Sequence, residues 1–286
     1  MRDVRLGLIG DKIARSRSPD LHRLAGQLCG LNVTYDRLIP PERGQSFDQV
    51  FDHCRDTGYR GVNVTYPYKE TVVRRLGTLP PALQQLGACN TVVFGEGLPT
   101  GANTDSTGFA RGFRTRFPGA QPGIVAMAGT GGVGKAIAFA LASLGASELR
   151  LCDPDSDKAQ GLAQALKPLS DTMRIVIAPD MQSASEGADG LVNATPLGMD
   201  GVGGNAVPTS ALAGRHWAFD AVYTPEETAF LIEARASGLA IMSGFELFLF
   251  QGIDAFAIFT GEQIDAEALR AELARAADTA ELSQAS

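Results

Sequence analysis

The sequence predicts an α/β protein of two parts, a mostly parallel α/β domain at the N-terminus and a doubly wound parallel sheet after it. Three observations carry this expectation. Short apolar runs alternate with helix-forming stretches from Arg5 to Ser243, the pattern of strands joined by helical crossovers. The run Ile124–Met127 passes through a cluster of glycines straight into the good helix formers Ala136–Leu144. Pro118-Gly-Ala-Gln-Pro122-Gly123 punctuates the chain just before that run, which sets a first boundary near residue 106.

In order, Arg5–Gly10 reads as a strand. Ser18-Pro19 opens a helix through Leu28, with Ser18 as N-cap and Pro19 at the first helical position. A strand near Val33–Leu38, a helix near Phe47–Cys54 and a strand at Gly61–Thr65 follow. Tyr66-Pro67 starts a helix through Val73, and Pro80-Pro81 starts the next. Ala88–Phe94 with Leu98–Asn103 reads as a hairpin-like edge, and a helix near Thr107–Phe117 leads away. Beyond the glycines come a strand Leu149–Asp153, a helix Asp157–Leu169, strands at Met173–Ile177 and Gly190–Thr195, and a glycine-rich loop, 198–204. The strand Trp217–Tyr223, the helix Glu227–Ser237 and the strand Ala240–Ser243 complete the second sheet. Phe245–Phe259 is apolar on nearly every face and reads as a buried helix. Ala266–Leu282 is an amphipathic terminal helix, with a frayed tail at Ser283–Ser286.

Bulk properties narrow the function. At 286 residues and 44% hydrophobic the chain can bury a sizeable core. A net charge of −7 and a pI near 5.1 provide no basic field for a nucleic-acid backbone. No apolar stretch approaches the roughly 20 residues of a membrane span, and Leu6–Ile9 is too short for a secretory core. Cys29, Cys54, Cys89 and Cys152 form no C-x-x-C pair. With His22, His53 and His216 they offer no metal-ligand spacing, so free thiols, a reducing cytoplasmic setting and no metal are expected.

The glycine cluster Gly129-Thr130-Gly131-Gly132-Val133-Gly134 is the strongest chemical signal. Gly129 can supply a tight turn, Gly131 and Gly132 admit a pyrophosphate to the backbone N–H groups, and Gly134 lets the helix pack close to the strand. The new helix aims its positive end at the phosphates. Asp153 ends the next strand 19 residues after Gly134, near the spacing at which a Rossmann unit places the acid that binds the adenosine ribose. The plain alternative is a structural glycine turn.

Polar residues set in apolar segments are the other signal, since a buried polar group must find a partner. Lys69 follows Asn63-Val-Thr65-Tyr-Pro-Tyr at the mouth of a sheet, where a surface lysine is the bland reading. Asp105 ends a strand, where an N-cap is the alternative. Lys69 and Asp105, at strand ends of one sheet, could face each other across a cleft. For Asn90 and Thr91 the alternative is a turn, and for Gln251 a satisfied core amide.

Taken together these segments resemble the shikimate/quinate dehydrogenase family. The likeness is collinear over Ser16-Arg-Ser18-Pro19 with His22, Asn63 to Lys69, Gly87-Ala-Cys-Asn90-Thr91, Asn103-Thr-Asp105 with Gly108, Gly129 to Gly134, Asn193-Ala194-Thr195-Pro-Leu-Gly198-Met199, Asp220-Ala-Val222-Tyr223 with Pro225 and Thr228, and Gly244 followed by Gln251-Gly252. The resemblance implies a substrate domain, 1–106, completed by C-terminal helices, 245–286, and a Rossmann domain, 107–244. It implies oxidation of the 3-hydroxyl of shikimate or quinate by a nicotinamide cofactor. Lys69 would exchange the proton and Asp105 orient it. Ser16, Ser18 and Tyr223 would hold the substrate carboxylate, and Thr65, Asn90 and Gln251 the ring hydroxyls. The cofactor would meet Gly129 to Gly134, Asp153, Asp155, Lys158, Asn193, Ala194, Thr195, Val222 and Gly244.

Two departures shape the expectation. Glu246 and Leu247 stand where many relatives carry glycine and methionine. Asp153-Pro154-Asp155 replaces the Asn-Arg-Ser/Thr run with which relatives that use NADP clamp the 2′-phosphate, so NAD is expected over NADP. Ser18 leans towards shikimate, because NAD-linked relatives that accept quinate often carry threonine there. The alternatives are a quinate-preferring or aminoshikimate-type dehydrogenase, or a non-catalytic relative that senses quinate or NAD. The partners expected are the small-molecule substrate and the cofactor, with the chain a monomer or homodimer.

Overall fold

A computed structural model describes residues 1–169 and 171–284. The chain divides into two compact units, one of residues 1–104 with 249–286 and one of residues 105–248.

The first unit opens with β1 (Arg2–Ile9), α1 (Ser18–Leu28), β2 (Leu31–Leu38), α2 (Phe47–Asp56) and β3 (Gly61–Val64). After a 3-10 turn, Thr71–Arg75, come α3 (Pro81–Leu86), β4 (Thr91–Val93) and β5 (Thr100–Ala102). Strand order is β2-β1-β3-β4-β5. β1 runs parallel to β2 and β3, and the β4–β5 hairpin adds antiparallel to β3. Phe47, Val50 and Phe51 of α2 pack with Ile9, Leu38, Val62 and Val64 into its core. A capping box fixes the start of α2: Ser46 Oγ accepts from Gln49 N–H at 3.2 Å and Gln49 Oε1 from Ser46 N–H at 2.8 Å.

α4 (Thr104–Arg116) leads into the second unit, where β6 (Ile124–Ala128), α5 (Gly132–Ser143), β7 (Glu148–Cys152), α6 (Ser156–Leu166) and β8 (Arg174–Ile177) form one half. α7 (Met181–Ser185), β9 (Gly190–Asn193), β10 (Trp217–Asp220), α8 (Ala229–Ala236) and β11 (Ala240–Met242) form the other. All six strands are parallel, in the order β11-β10-β9-β6-β7-β8. That is the doubly wound order, with its reversal between β6 and β9. α9 (Gly244–Thr260) contains the division between units, and α10 (Ala266–Gln284) ends the described chain. Ala285 and Ser286 of the expected frayed tail lie outside the described residues.

Four local expectations are corrected. Ser18 is the first residue of α1 and not its cap: Arg17 holds the N-cap position, and Ser16 Oγ accepts from Ser18 N–H at 3.3 Å. No α-helix runs from Tyr66 to Val73: the Lys69 carbonyl accepts from Cys89 N–H at 2.8 Å, and the segment forms only the 3-10 turn Thr71–Arg75. α4 begins three residues early, at Thr104, which puts Asp105 inside its first turn and removes the N-cap reading. α7 was not anticipated: Asp180 caps it, accepting from Ser183 N–H at 2.7 Å.

Gly190 shows how tightly the second core is drawn. A Cβ there would overlap the indole of Trp217, which Phe113 and Phe117 flank at 5.1 and 5.8 Å between centroids. Gly190→Ala is expected to cost about 1–3 kcal/mol of stability. Trp217, the only tryptophan, reports the loss as a lower midpoint in fluorescence-detected denaturation, and an unchanged midpoint would contradict this packing.

Candidate active site

In the first unit the polar residues singled out gather at the carboxyl ends of β1 and β3 and at the start of β4. Ser16 and Ser18 follow β1, with Ser16 Oγ donating to Ser18 Oγ at 3.1 Å. Thr65 follows β3, and its N–H donates to Ile9 O at 2.9 Å. Lys69, half-buried, is drawn to the Asn90 segment by the Cys89–Lys69 backbone bond. Asn90 is itself 4% exposed. Its Oδ1 accepts from Thr104 N–H at 2.7 Å, Thr104 Oγ1 at 3.1 Å and Thr91 Oγ1 at 2.9 Å. Because Thr104 N–H can only donate, the amide orientation is fixed and Nδ2 is left as the group to meet a ligand. Gln251 lies half-buried in α9, beside Gly252, where a Cβ would press on Leu21 of α1 at 2.5 Å.

Asn63 was quoted only as part of a motif, yet it is the hub beneath these groups. It accepts from Tyr35 Oη at 2.9 Å and donates to Asn90 O at 3.2 Å and Thr91 Oγ1 at 3.0 Å. Burial leaves His22 neutral, its pKa pushed down to about 3 against a hydrogen bond with Asn63, and the Tyr35 ring stacks on it at 4.7 Å.

In the second unit the glycine turn has the shape its sequence requires. Gly129 has φ +92°, and a Cβ there would lie 2.8 Å from Ala194 O. A Cβ on Gly134 would overlap the Gly129 carbonyl. Gly131 is the N-cap of α5 with no side-chain cap, and around it a Cβ would meet nothing within 4 Å. The first N–H groups of α5 are therefore offered outward beside exposed Gly131 and Gly132, with half-buried Val133 behind them. This arrangement fits a pyrophosphate.

Asp153 lies just beyond β7. Its Oδ2 accepts from both Thr130 N–H and Thr130 Oγ1 at 2.8 Å, and Oδ1 accepts from Asp155 N–H at 2.9 Å. The turn role of Asp153 is thus established, and since a carboxylate has about four acceptor positions and three are used, one is left over. Burial pushes its carboxyl up, but the bonds from Asp155 and Thr130, with Lys158 nearby, outweigh this and hold it below the usual range. Asp155 caps α6 and pairs with Lys158 at 3.0 Å, so those two largely cancel.

Asn193, Ala194 and Thr195 follow β9. Asn193 Oδ1 accepts from Thr195 N–H at 2.9 Å and Oγ1 at 2.7 Å, and its Nδ2 donates to Leu197 O at 3.0 Å and Asp220 Oδ1 at 2.9 Å. Val222 and Tyr223 follow β10, with Tyr223 stacked on Phe248 at 5.1 Å. A Cβ on Gly244 would stand 2.6 Å from Ala221 O. Asp105 belongs to this unit, at the start of α4. Among the described residues no group of three His, Cys, Asp or Glu could hold a metal ion, and no helix is long and apolar enough to cross a membrane.

A doubly wound sheet with an uncapped glycine helix start and an acid after its second strand is the architecture of a dinucleotide-binding domain. Comparison with known proteins agrees. The family model of the shikimate dehydrogenase substrate binding domain matches residues 8–92. A quinate/shikimate dehydrogenase (NAD(+)) of Corynebacterium efficiens is 41% identical over 274 residues, covering 94% of this chain and 96% of the relative. The structure of quinate dehydrogenase from Corynebacterium glutamicum in complex with NAD superposes with a TM-score of 0.90 at 37% identity, over 96% of this chain and 100% of that one. Shikimate 5-dehydrogenase from Thermus thermophilus in complex with NADP(H) and shikimate follows at 0.84 and 32%, over 96% and 99%. The chain belongs to the shikimate/quinate dehydrogenase family, oxidoreductases that act on a CH–OH group.

The depressed Asp153 carboxyl gives a pH test. A lowered folded-state pKa contributes stability that is present above the unfolded value, about 3.8, and is lost as pH falls through the folded one. Asp153→Asn should therefore melt below the wild type at pH 7, with the gap beginning to close only as pH falls below about 3.8. A gap that is constant with pH in thermal melts would show that the bonds to Thr130 and Asp155 do not favour the ionised form.

Proposed function

We propose that the chain is an NAD-linked dehydrogenase that reversibly oxidises the 3-hydroxyl of shikimate, and of quinate, to the ketone. Residues 1–106 with 245–286 bind the substrate and residues 107–244 the dinucleotide. The observation that carries the cofactor assignment is Asp153, an ionised carboxylate tied to the glycine turn where a guanidinium would be needed for NADP. At about 4 Å and an effective dielectric near 20, a like-charge pair costs on the order of 4 kcal/mol. Asp153 retains one acceptor position for a ribose hydroxyl. The substrate assignment is supported by the 41% identical relative, named for both quinate and shikimate.

When bound, the nicotinamide supplies the acceptor for the hydrogen on the reacting carbon. Everything else falls to side chains. Lys69 exchanges the proton of the reacting hydroxyl, and Asp105 hydrogen-bonds the same hydroxyl and orients the ammonium, which is a ready acid in the reductive direction. Ser16, Ser18 and Tyr223 hold the substrate carboxylate with neutral hydroxyls. Asn90 Nδ2 donates to a ring hydroxyl, and Thr65 and Gln251 serve the others. Free thiols at all four cysteines suit the reducing cytoplasm, the proposed location.

Lys69→Ala is expected to lower kcat by about 10²-fold or more, within the range for a positioned acid or base, while substrate affinity changes much less. Asp105→Asn should also slow turnover severely. Wild-type values of kcat/KM in either variant would remove that residue from the chemistry. Initial rates with shikimate and quinate, each with NAD and NADP, test the assignment directly: activity with NAD should exceed that with NADP. Replacing Asp153 by Ser together with Pro154 by Arg should shift the kcat/KM ratio towards NADP by at least about tenfold, some 1.4 kcal/mol. An equal or better wild-type kcat/KM with NADP overturns the argument from Asp153.

A further inference from the structure

One carboxylate in the second unit is fully buried and has no part in the chemistry above. Asp220, 0% exposed, ends β10 in register with Asn193 of β9, which is in turn in register with Ala128 of β6. It thus stands in the row of strand ends that includes the β6–β9 reversal. Three donors converge on it. Asn193 Nδ2 reaches Oδ1 at 2.9 Å, Val222 N–H reaches Oδ1 at 3.0 Å, and Thr228 Oγ1 reaches Oδ2 at 2.7 Å.

Each donor belongs to a different piece of backbone. Asn193 spends its remaining bonds on Thr195 and Leu197 and so fixes the loop after β9. That loop touches the glycine turn, since Ala194 O lies 2.8 Å from where a Gly129 Cβ would be. Val222 belongs to the turn after β10, whose carbonyls press on Gly244 at the start of α9. Thr228 caps α8, accepting from Leu231 N–H at 3.3 Å. The adenosine end is served by a separate set of bonds, Thr130 to Asp153 and Asp153 to Asp155.

We propose that Asp220 is a positioning residue for the nicotinamide end of the cofactor, locking the loop after β9 and the turn after β10 into one wall. The proposal rests on the dinucleotide reading above. It carries a pH dependence. The groups facing Asp220 are Asn193 from β9, Val222 N–H from its own turn and Thr228 from the cap of α8, and none carries a charge. Burial pushes the carboxyl up to about 6, against the hydrogen bonds from Thr228, Val222 and Asn193. Protonation removes the charge on which the three donors converge and so weakens all three bonds. The wall loosens as pH falls through 6, and the adenosine anchor does not.

Calorimetric titration with NAD and with ADP-ribose, which lacks the nicotinamide, separates the two ends. In the wild type, NAD affinity should fall about tenfold between pH 7.5 and pH 5 while ADP-ribose affinity stays within about twofold, the size expected when one hydrogen bond to a charged group is lost. Asp220→Asn, which holds the amide counterpart of the protonated acid at every pH, should bind NAD at pH 7.5 about tenfold more weakly and with little further pH dependence. Its kcat should drop, with ADP-ribose binding unchanged. Equal weakening of both ligands, as a merely structural carboxylate would give, overturns the proposal, as does wild-type NAD affinity in the variant. If the variant does not fold, the wild-type pH series decides alone. Failure of the wild type to bind either ligand overturns the dinucleotide reading, and this proposal with it.

Discussion

The second unit depends on a backbone contact that only glycine permits. Gly134, in the first turn of α5, lies so close to the Gly129 carbonyl that a methyl group there would overlap it. This closeness brings the start of α5 directly onto the end of β6. Consequently the helix N–H groups, left without a side-chain cap, open at the row of strand ends and not over the sheet face. Every later feature is placed by reference to that point. Thr130 reaches Asp153 from it, and Ala194 abuts it from the neighbouring strand.

The two units solve a similar problem with different means. Parallel strands collect their loops at one end, so polar side chains that follow β1 and β3 become neighbours although they are far apart in sequence. In the first unit the resulting cluster is stiffened by side-chain amides: Asn63 ties Tyr35 to the Asn90 segment, and Asn90 is held in turn by Thr104. In the second, carboxylates take that part, Asp153 on one side of the β6–β9 reversal and Asp220 on the other. Neutral groups suit a surface that is to meet a polar organic acid. Anionic acceptors suit loops whose own N–H groups must be gathered.

Much of this was legible in the chain, and the gaps have physical causes. The strands were visible because apolar runs such as Val125–Met127 and Ala218–Phe219 are buried on both faces. The glycine turn was visible because Gly129 and Gly134 have no substitutes. Helix starts were less so. Ser18-Pro19 looks like a cap and a first residue, but Ser18 is already the first helical residue, after Arg17, and the helix has no side-chain cap. The segment after Pro67 has helix formers, but its carbonyl at Lys69 is taken from outside by Cys89, a bond no local pattern announces. α7 spans five residues, too few to show a period. Asp220 stood out only as part of the Asp220-Ala-Val222-Tyr223 segment, and its three donors come from positions 193, 222 and 228 that no local pattern brings together.

The saturation of Asn90 has a consequence for selectivity. All the hydrogen bonds to its side chain arrive at Oδ1, so the amide faces outward with its nitrogen only. Whatever group a ligand presents there must offer a lone pair. A hydroxyl or a carbonyl oxygen can do so. A protonated amine cannot, and would set two donors against each other in a position with 4% exposure to water. At the ligand contact proposed for Asn90, an oxygen acceptor is thus favoured over an ammonium without a single charge, through the direction in which one amide points.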